Sequence, residues 1–172
     1  RVLFRSSGGC IYSVVAIVRT SLLRVNLSVV DAGAVTFGNG NSGISGIISE
    51  TNSLVGSQAN DRVGGTGVTE LYNASYVVRS ELWDNGATGD AGAVTWGSGT
   101  TGVVGVVGTS NSIVGSTTND SVGSSPVTRL SNGNFVMASP NWHNSGQSGS
   151  GAATWVSGAS GKTLEGIFGA IS

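Results

Sequence analysis

A block of 59 residues stands twice in this chain without a gap, and its beginning stands a third time. Residues 31–89 align with 90–148 at 27 identical positions of 59. The run DAGAVTFGNG returns as DAGAVTWGSG and then, altered, as GSGAATWVSG, while NSLVGSQANDRVG returns as NSIVGSTTNDSVG. One aromatic residue recurs at each step, as Phe37, Trp96 and Trp155. A fixed period of this length belongs to repeat architectures, in which each unit buries its apolar face against the next. It divides the chain into a degenerate or partial preceding unit (1–30), a first repeat (31–89), a second (90–148) and a partial third (149–172).

Charged residues make up only 10% of the chain, against about 25% in an average soluble domain. Hydrophobic residues are nevertheless 38% and the net charge is -1, so the composition is not that of a disordered segment. Gly and Asn punctuate short β-branched runs, which predicts many strands and tight turns, and no window carries a helical period. With Lys162 its single lysine, the chain lacks the basic footprint that nucleic acid or a membrane surface requires. Cys10 stands alone, so neither a disulfide framework nor a cysteine metal cluster is expected; so few cysteines suit a reducing cytoplasm or a bacterial surface equally. The missing initiator Met and the interrupted third repeat suggest a piece of a longer array. The apolar run 10–18 is too short for a membrane helix, which takes about 20 residues. It is expected as a strand of the preceding unit, with AIVRTSLL (16–23) matching YVVRSELW (76–83).

Within the repeat, strands are expected near 68–71, 76–80, 92–97, 103–107 and 111–115, and again 59 residues later. Asn132-Gly133 is the dipeptide favoured in a type I′ hairpin turn, where both central residues need positive φ. Four short antiparallel strands per unit match a β-propeller blade, so the expected fold is all-β, tandem four-stranded antiparallel blades of an incomplete propeller. The alternative is a β-solenoid with rungs of about 20–25 residues. Phe37, Trp96 and Trp155 are expected as largely buried inter-blade core, with Trp96→Ala costing about 3–5 kcal/mol.

Residues 60–99 carry a family resemblance. Asn60-Asp61-Arg62-Val63-Gly64, the strand 76–80 and Gly92-Ala93-Val94-Thr95-Trp96 look like the successive parts of an FG-GAP, or integrin-alpha-type, blade, and 119–123, 135–140 and 151–155 repeat the match. The unit is also similar to uncharacterised repeats of large bacterial surface proteins of the filamentous-haemagglutinin or adhesin type. The resemblance covers about 31–172 and implies a β-propeller in an extracellular, cell-surface or outer-membrane setting. FG-GAP blades often hold Ca²⁺ in a D-x-D-x-D-G loop, but here the connections 72–75 and 131–134 contain no carboxylate. Calcium binding is therefore not carried over, and no metal or cofactor is expected.

No catalytic constellation recurs. His143 is the single histidine and is replaced by Asp84 in the first repeat, so it reads as a solvated loop residue. Asp61 and Asp120 read as Asx-type turns, with a ligand contact as the alternative. Gly38 to Gly43 (GNGNSG) reads as a turn, since no helix and no Gly-Lys-Ser/Thr follows. Asn26, Asn73 and Asn119 begin Asn-x-Ser sequons. Trp83 and Trp142 sit in inter-strand loops beside Asn85 and Asn144. An exposed ring flanked by amides would suit a sugar face, and a lid over the blade edge is the other reading. The expected function is a non-enzymatic repeat segment of a secreted or surface-anchored bacterial protein, acting as scaffold or adhesive module. The alternative is a propeller that binds glycans or other ligands through Trp83, Asn85, Trp142 and Asn144. Expected partners are adjacent repeats, glycans, or matrix or cell-surface proteins, and not nucleic acid.

Overall fold

The computed structural model describes residues 14–18, 29–38, 44–166 and 168–171. The described residues form strands and turns, with no helix. The central sheet is an antiparallel meander of β4 (Gly67–Glu70), β5 (Tyr76–Ser80), β6 (Ala93–Gly97) and β8 (Ser112–Val114). An earlier sheet contains β1 (Val14–Val18), β2 (Ala34–Gly38) and β3 (Leu54–Val55), and a later one β9 (Thr128–Arg129), β10 (Phe135–Ser139) and β11 (Ala152–Val156). Each sheet thus takes its first strands from one sequence block and its last from the next.

The two longest strands of each unit fall where the periodicity placed them. The segment expected as a strand at 103–107 does something else. Its short strand β7 (Gly105–Val106) leaves its own sheet and pairs in parallel with β3 of the earlier one, Leu54 opposite Gly105. One unit later β12 (Gly169–Ala170) pairs in parallel with β8 of the central sheet, Ile113 opposite Gly169. The departure is made by glycine: Gly105 and Gly169 have φ of 103° and 122°, a region that side-chain-bearing residues avoid. The earlier and the central sheet are thereby each stitched to the following unit by main-chain hydrogen bonds.

Two further expectations are corrected. β1 does pair antiparallel with β2, but Val14 faces Gly38 as Tyr76 faces Gly97, so Val14 rather than Ala16 is the counterpart of Tyr76. A two-residue slip keeps every side chain on its face, so periodicity alone could not detect it; residues 10–13 and 19–28 lie outside the described set. The hairpin at Asn132-Gly133 is not a two-residue turn. Gly133 N–H bonds Leu130 O and Leu130 N–H bonds Asn134 O, closing a three-residue loop in which Gly133 alone is left-handed. Ala74 takes that position in the previous unit, with φ 66°. This is a type I turn followed by a bulge, and it satisfies the twist with one positive φ instead of two.

Two apolar clusters fill the array, and both draw on more than one sheet. Val35, Leu54, Val63, Tyr76, Val78, Trp83, Val107 and Val114 form one; Leu71, Val77, Val94, Ile113, Val122, Phe135, Met137 and Val156 belong to the other. Tyr76 fills its slot because residue 97 is Gly: a Cβ there would lie inside the phenol ring. Its hydroxyl accepts the Val103 N–H at 3.1 Å, and burial pushes the phenol up to about 12. The recurring aromatics Phe37, Trp96 and Trp155 are only half-buried, contrary to expectation. Phe37 stacks on Tyr76 at 6.0 Å and covers Gly102, and Trp96 covers Gly161 while its indole N–H donates to Gly158 O at 2.8 Å. Phe37 and Trp96 thus lie as partly exposed covers on glycines at the junctions between units.

Candidate functional site

A second set of recurring residues collects at the linkers between sheets, 56–64 and 115–123. On one side the linker is tied to the sheet it leaves. Gly56, Asn60, Arg62 and Val63 donate main-chain N–H groups to Gly33, Val30, Asp31 and Ala32, and Gly115, Asn119, Ser121 and Val122 do the same to Gly92, Gly89, Asp90 and Ala91. On the other side it is tied to the sheet it enters, through one carboxylate. Asp61 is fully buried; its Oδ2 accepts the N–H groups of Ser57 and Gln58 at 2.7 and 2.8 Å, and its Oδ1 accepts Asp84 N–H at 3.0 Å. Asp120 repeats this with Ser116, Thr117 and His143 at 2.9, 2.8 and 3.0 Å. The expected Asx-type turn is therefore corrected: the carboxylate reaches back three and four residues and also across to the next sheet's loop.

Other recurring strings of the block are engaged in the same kind of contact. In NSLVG and NSIVG, the Asn52 and Asn111 amides donate to Ile47 O and Val106 O at 2.9 Å. Their Oδ1 atoms accept the hydroxyls of Ser53 and Ser112 at 2.8 Å, and those hydroxyls also meet Thr36 and Thr95 in buried contacts of 2.6 and 2.7 Å. In DAGAVT, Gly33 and Gly92 hold φ of 74° and 75° and pass against the main chain of Val63 and Val122 in parallel bridges.

Burial raises the pKa of Asp61, against the lowering effect of its three N–H donors, and the nearby charge of Asp84 adds to the rise. A carboxyl whose folded pKa exceeds its unfolded one holds its proton more tightly when folded. Its contribution to stability is complete below the unfolded pKa and is lost as pH rises through the folded value. Urea denaturation of wild type and Asp61→Asn at several pH values should show the wild-type margin widening as pH falls into the carboxylate range. A margin that narrows would mean the carboxylate is preferred in its charged form.

The sequence left two readings for Trp83 and Trp142, a lid over the blade edge or, with Asn85 and Asn144, an exposed binding set, and the structure turns both rings inward. Trp83 is 3% exposed and Trp142 9%. Neither ring offers a face to a sugar, and Trp83 belongs to the first apolar cluster. Both indole N–H groups are buried without a hydrogen-bond partner among the described residues. Asn85 closes a tight turn with Thr88 and donates to Gly115 O at 3.1 Å; Asn144 closes the same turn with Gln147 and is exposed. Each Trp–Asn pair shares one loop, with the ring turned inward. His143 is not simply solvated: its Nδ1 lies 2.8 Å from Asp120 Oδ1, and its side chain is 19% exposed. Sequence reasoning missed this pair because the first unit has a second carboxylate, Asp84, at that position.

Loops 72–75 and 131–134 contribute no carboxylate, and among the described residues no group of three or more His, Cys, Asp or Glu is close enough to hold a metal ion. Residues 39–43 of the glycine-rich turn, and Asn26 of the sequons, lie outside the described set. Asn119 is exposed, whereas the Asn73 amide donates to Gly158 O at 2.7 Å in the next unit.

No curated protein matches the chain. A family described as a repeat of unknown function (DUF5650) matches in three tandem copies, over residues 25–65, 70–124 and 129–172. The middle copy nearly coincides with the central sheet of 67–114 rather than with the block cut at Asp31 and Asp90. The chain belongs to this family of tandem β-repeats.

Proposed function

We propose that this chain is a non-enzymatic repeat segment of a secreted or surface-anchored bacterial protein, a scaffold whose sheets are propeller-type blades of the FG-GAP kind. One observation carries the reading: the buried polar side chains that recur from unit to unit are mostly engaged in joining strands and units to one another. Asp61 and Asp120 close the linkers, Asn52 and Asn111 hold the crossing strands, and Thr36–Ser53 and Thr95–Ser112 join strands inside the sheets. Low charge and few lysines fit a surface protein that keeps to its own repeats for partners.

An adhesive role remains within this reading only through the exposed parts of loops 81–90 and 140–150, since their tryptophans serve as packing. The test is a glycan and matrix-protein screen of the full chain beside Asn85→Ala/Asn144→Ala, which leaves both indoles in place. No saturable binding is expected from either. Binding by wild type that the double variant loses would replace the scaffold reading with a recognition module.

A further inference from the structure

Two crossing strands find parallel partners one sheet back, and a third of the same form has none. Gly105–Val106 lies on Leu54–Val55, and Gly169–Ala170 on Ile113–Val114. Gly46–Ile47 is built like them. Gly46 has φ 118°, in the same left-handed range as Gly105 and Gly169, and Ile47 O is capped by the Asn52 amide as Val106 O is capped by Asn111. Among the described residues nothing pairs with Gly46–Ile47. Its apolar side chains lie open in consequence: Ile47 is 84% exposed against 39% for Val106, and Ile44 is 47% exposed.

We propose that Gly46–Ile47 is a docking edge for the last strand of an adjoining unit of the same repeat, a Leu-Val or Ile-Val pair inside an Asn-Ser-Leu/Ile-Val-Gly segment, received in parallel. Main-chain bonds supply the grip and the apolar pair the fit, as in strand addition to any open sheet edge. The seated examples define the bonds. Gly105 N–H donates to Ser53 O at 2.9 Å and Val107 N–H to Val55 O at 3.0 Å, and Ile171 N–H donates to Val114 O at 3.1 Å. The counterparts are the N–H groups of Gly46 and Ile48. The two strands of this chain that have the required sequence, β3 and β8, are already occupied by β7 and β12. The occupant is therefore a further unit, and a second copy of this chain has no free strand of this kind among its described residues.

The experiment extends the chain and follows amide exchange. A copy of residues 90–118 fused directly before Arg1 sets its Ile-Val pair as far ahead of Gly46 as Leu54–Val55 stands ahead of Gly105. Hydrogen exchange at Gly46 and Ile48 is expected to slow at least about ten-fold, toward the rates of Gly105 and Val107 in the same sample. An extension whose copied pair carries Ile113→Asp and Val114→Asp should leave both amides fast. Unchanged exchange with the unmodified extension, or equal slowing by both extensions, overturns the proposal. Slowing that depends on protein concentration in the unextended chain would assign the edge to a second copy and overturn it as well.

Discussion

Gly92→Ala should destabilise the chain by about 2–5 kcal/mol, while Gly151→Ala, the same exchange one repeat later, should cost about 1–2 kcal/mol. Both glycines occupy the left-handed region, with φ of 75° and 72°, so an added Cβ meets the same local penalty at each. The surroundings differ. At Gly92 the new carbon would overlap the main-chain N and O of Val122 and come within 2.7 Å of Ser121 C, all backbone atoms fixed by the linker's hydrogen bonds. At Gly151 its nearest neighbour would be Pro140 O at 3.5 Å, an ordinary contact. The excess at Gly92 thus measures the close approach of linker and sheet, separated from backbone strain. Urea denaturation of the two variants checks it. Equal losses would mean that the parallel bridge between Gly92 and Val122 contributes nothing to holding the units together.

The sheets were legible in the sequence wherever a strand is long enough to show its pattern. Residues 76–80 and 93–97 combine β-branched runs with glycine and polar boundaries, and their 59-residue spacing fixed their equivalents. The stitching between units was not legible. It uses two-residue strands, β7 and β12, too short for any period, and its direction is set by single glycines whose positive φ cannot be told from the many other glycines of the chain. The Asp61 and Asp120 positions were found by recurrence, but their reach was misjudged. A turn from sequence is read forward along the chain, whereas these carboxylates close contacts 23 residues away, to Asp84 and His143.

The order in which the tryptophans matter is expected to be the reverse of what their sequence contexts suggest. Trp83 stands among Glu, Asp, Asn and Gly in a loop, and Trp96 stands in a strand of small residues. Trp83 is nonetheless 3% exposed and packed with residues drawn from Val35 to Val114, while Trp96 is half-buried over Gly161. The loop turns its ring inward because its main chain is pinned on both sides: Trp83 N–H donates to Ser80 O at 3.2 Å, and its carbonyl accepts Gly92 N–H at 2.9 Å. Removing the Trp83 indole should leave a cavity bounded by this pinned backbone and by β-branched side chains, which cannot collapse into it, so Trp83→Ala is expected to cost about 3–5 kcal/mol. Trp96→Ala forfeits partial burial and one hydrogen bond to Gly158 O, and water can reach the exposed atoms, so about 1–3 kcal/mol is expected. Denaturant midpoints of the two single variants, read with the slope held in common, decide the order. A larger loss at Trp96 would restore the strand aromatics as the inter-unit core and leave the Trp83 loop free to act as a contact surface.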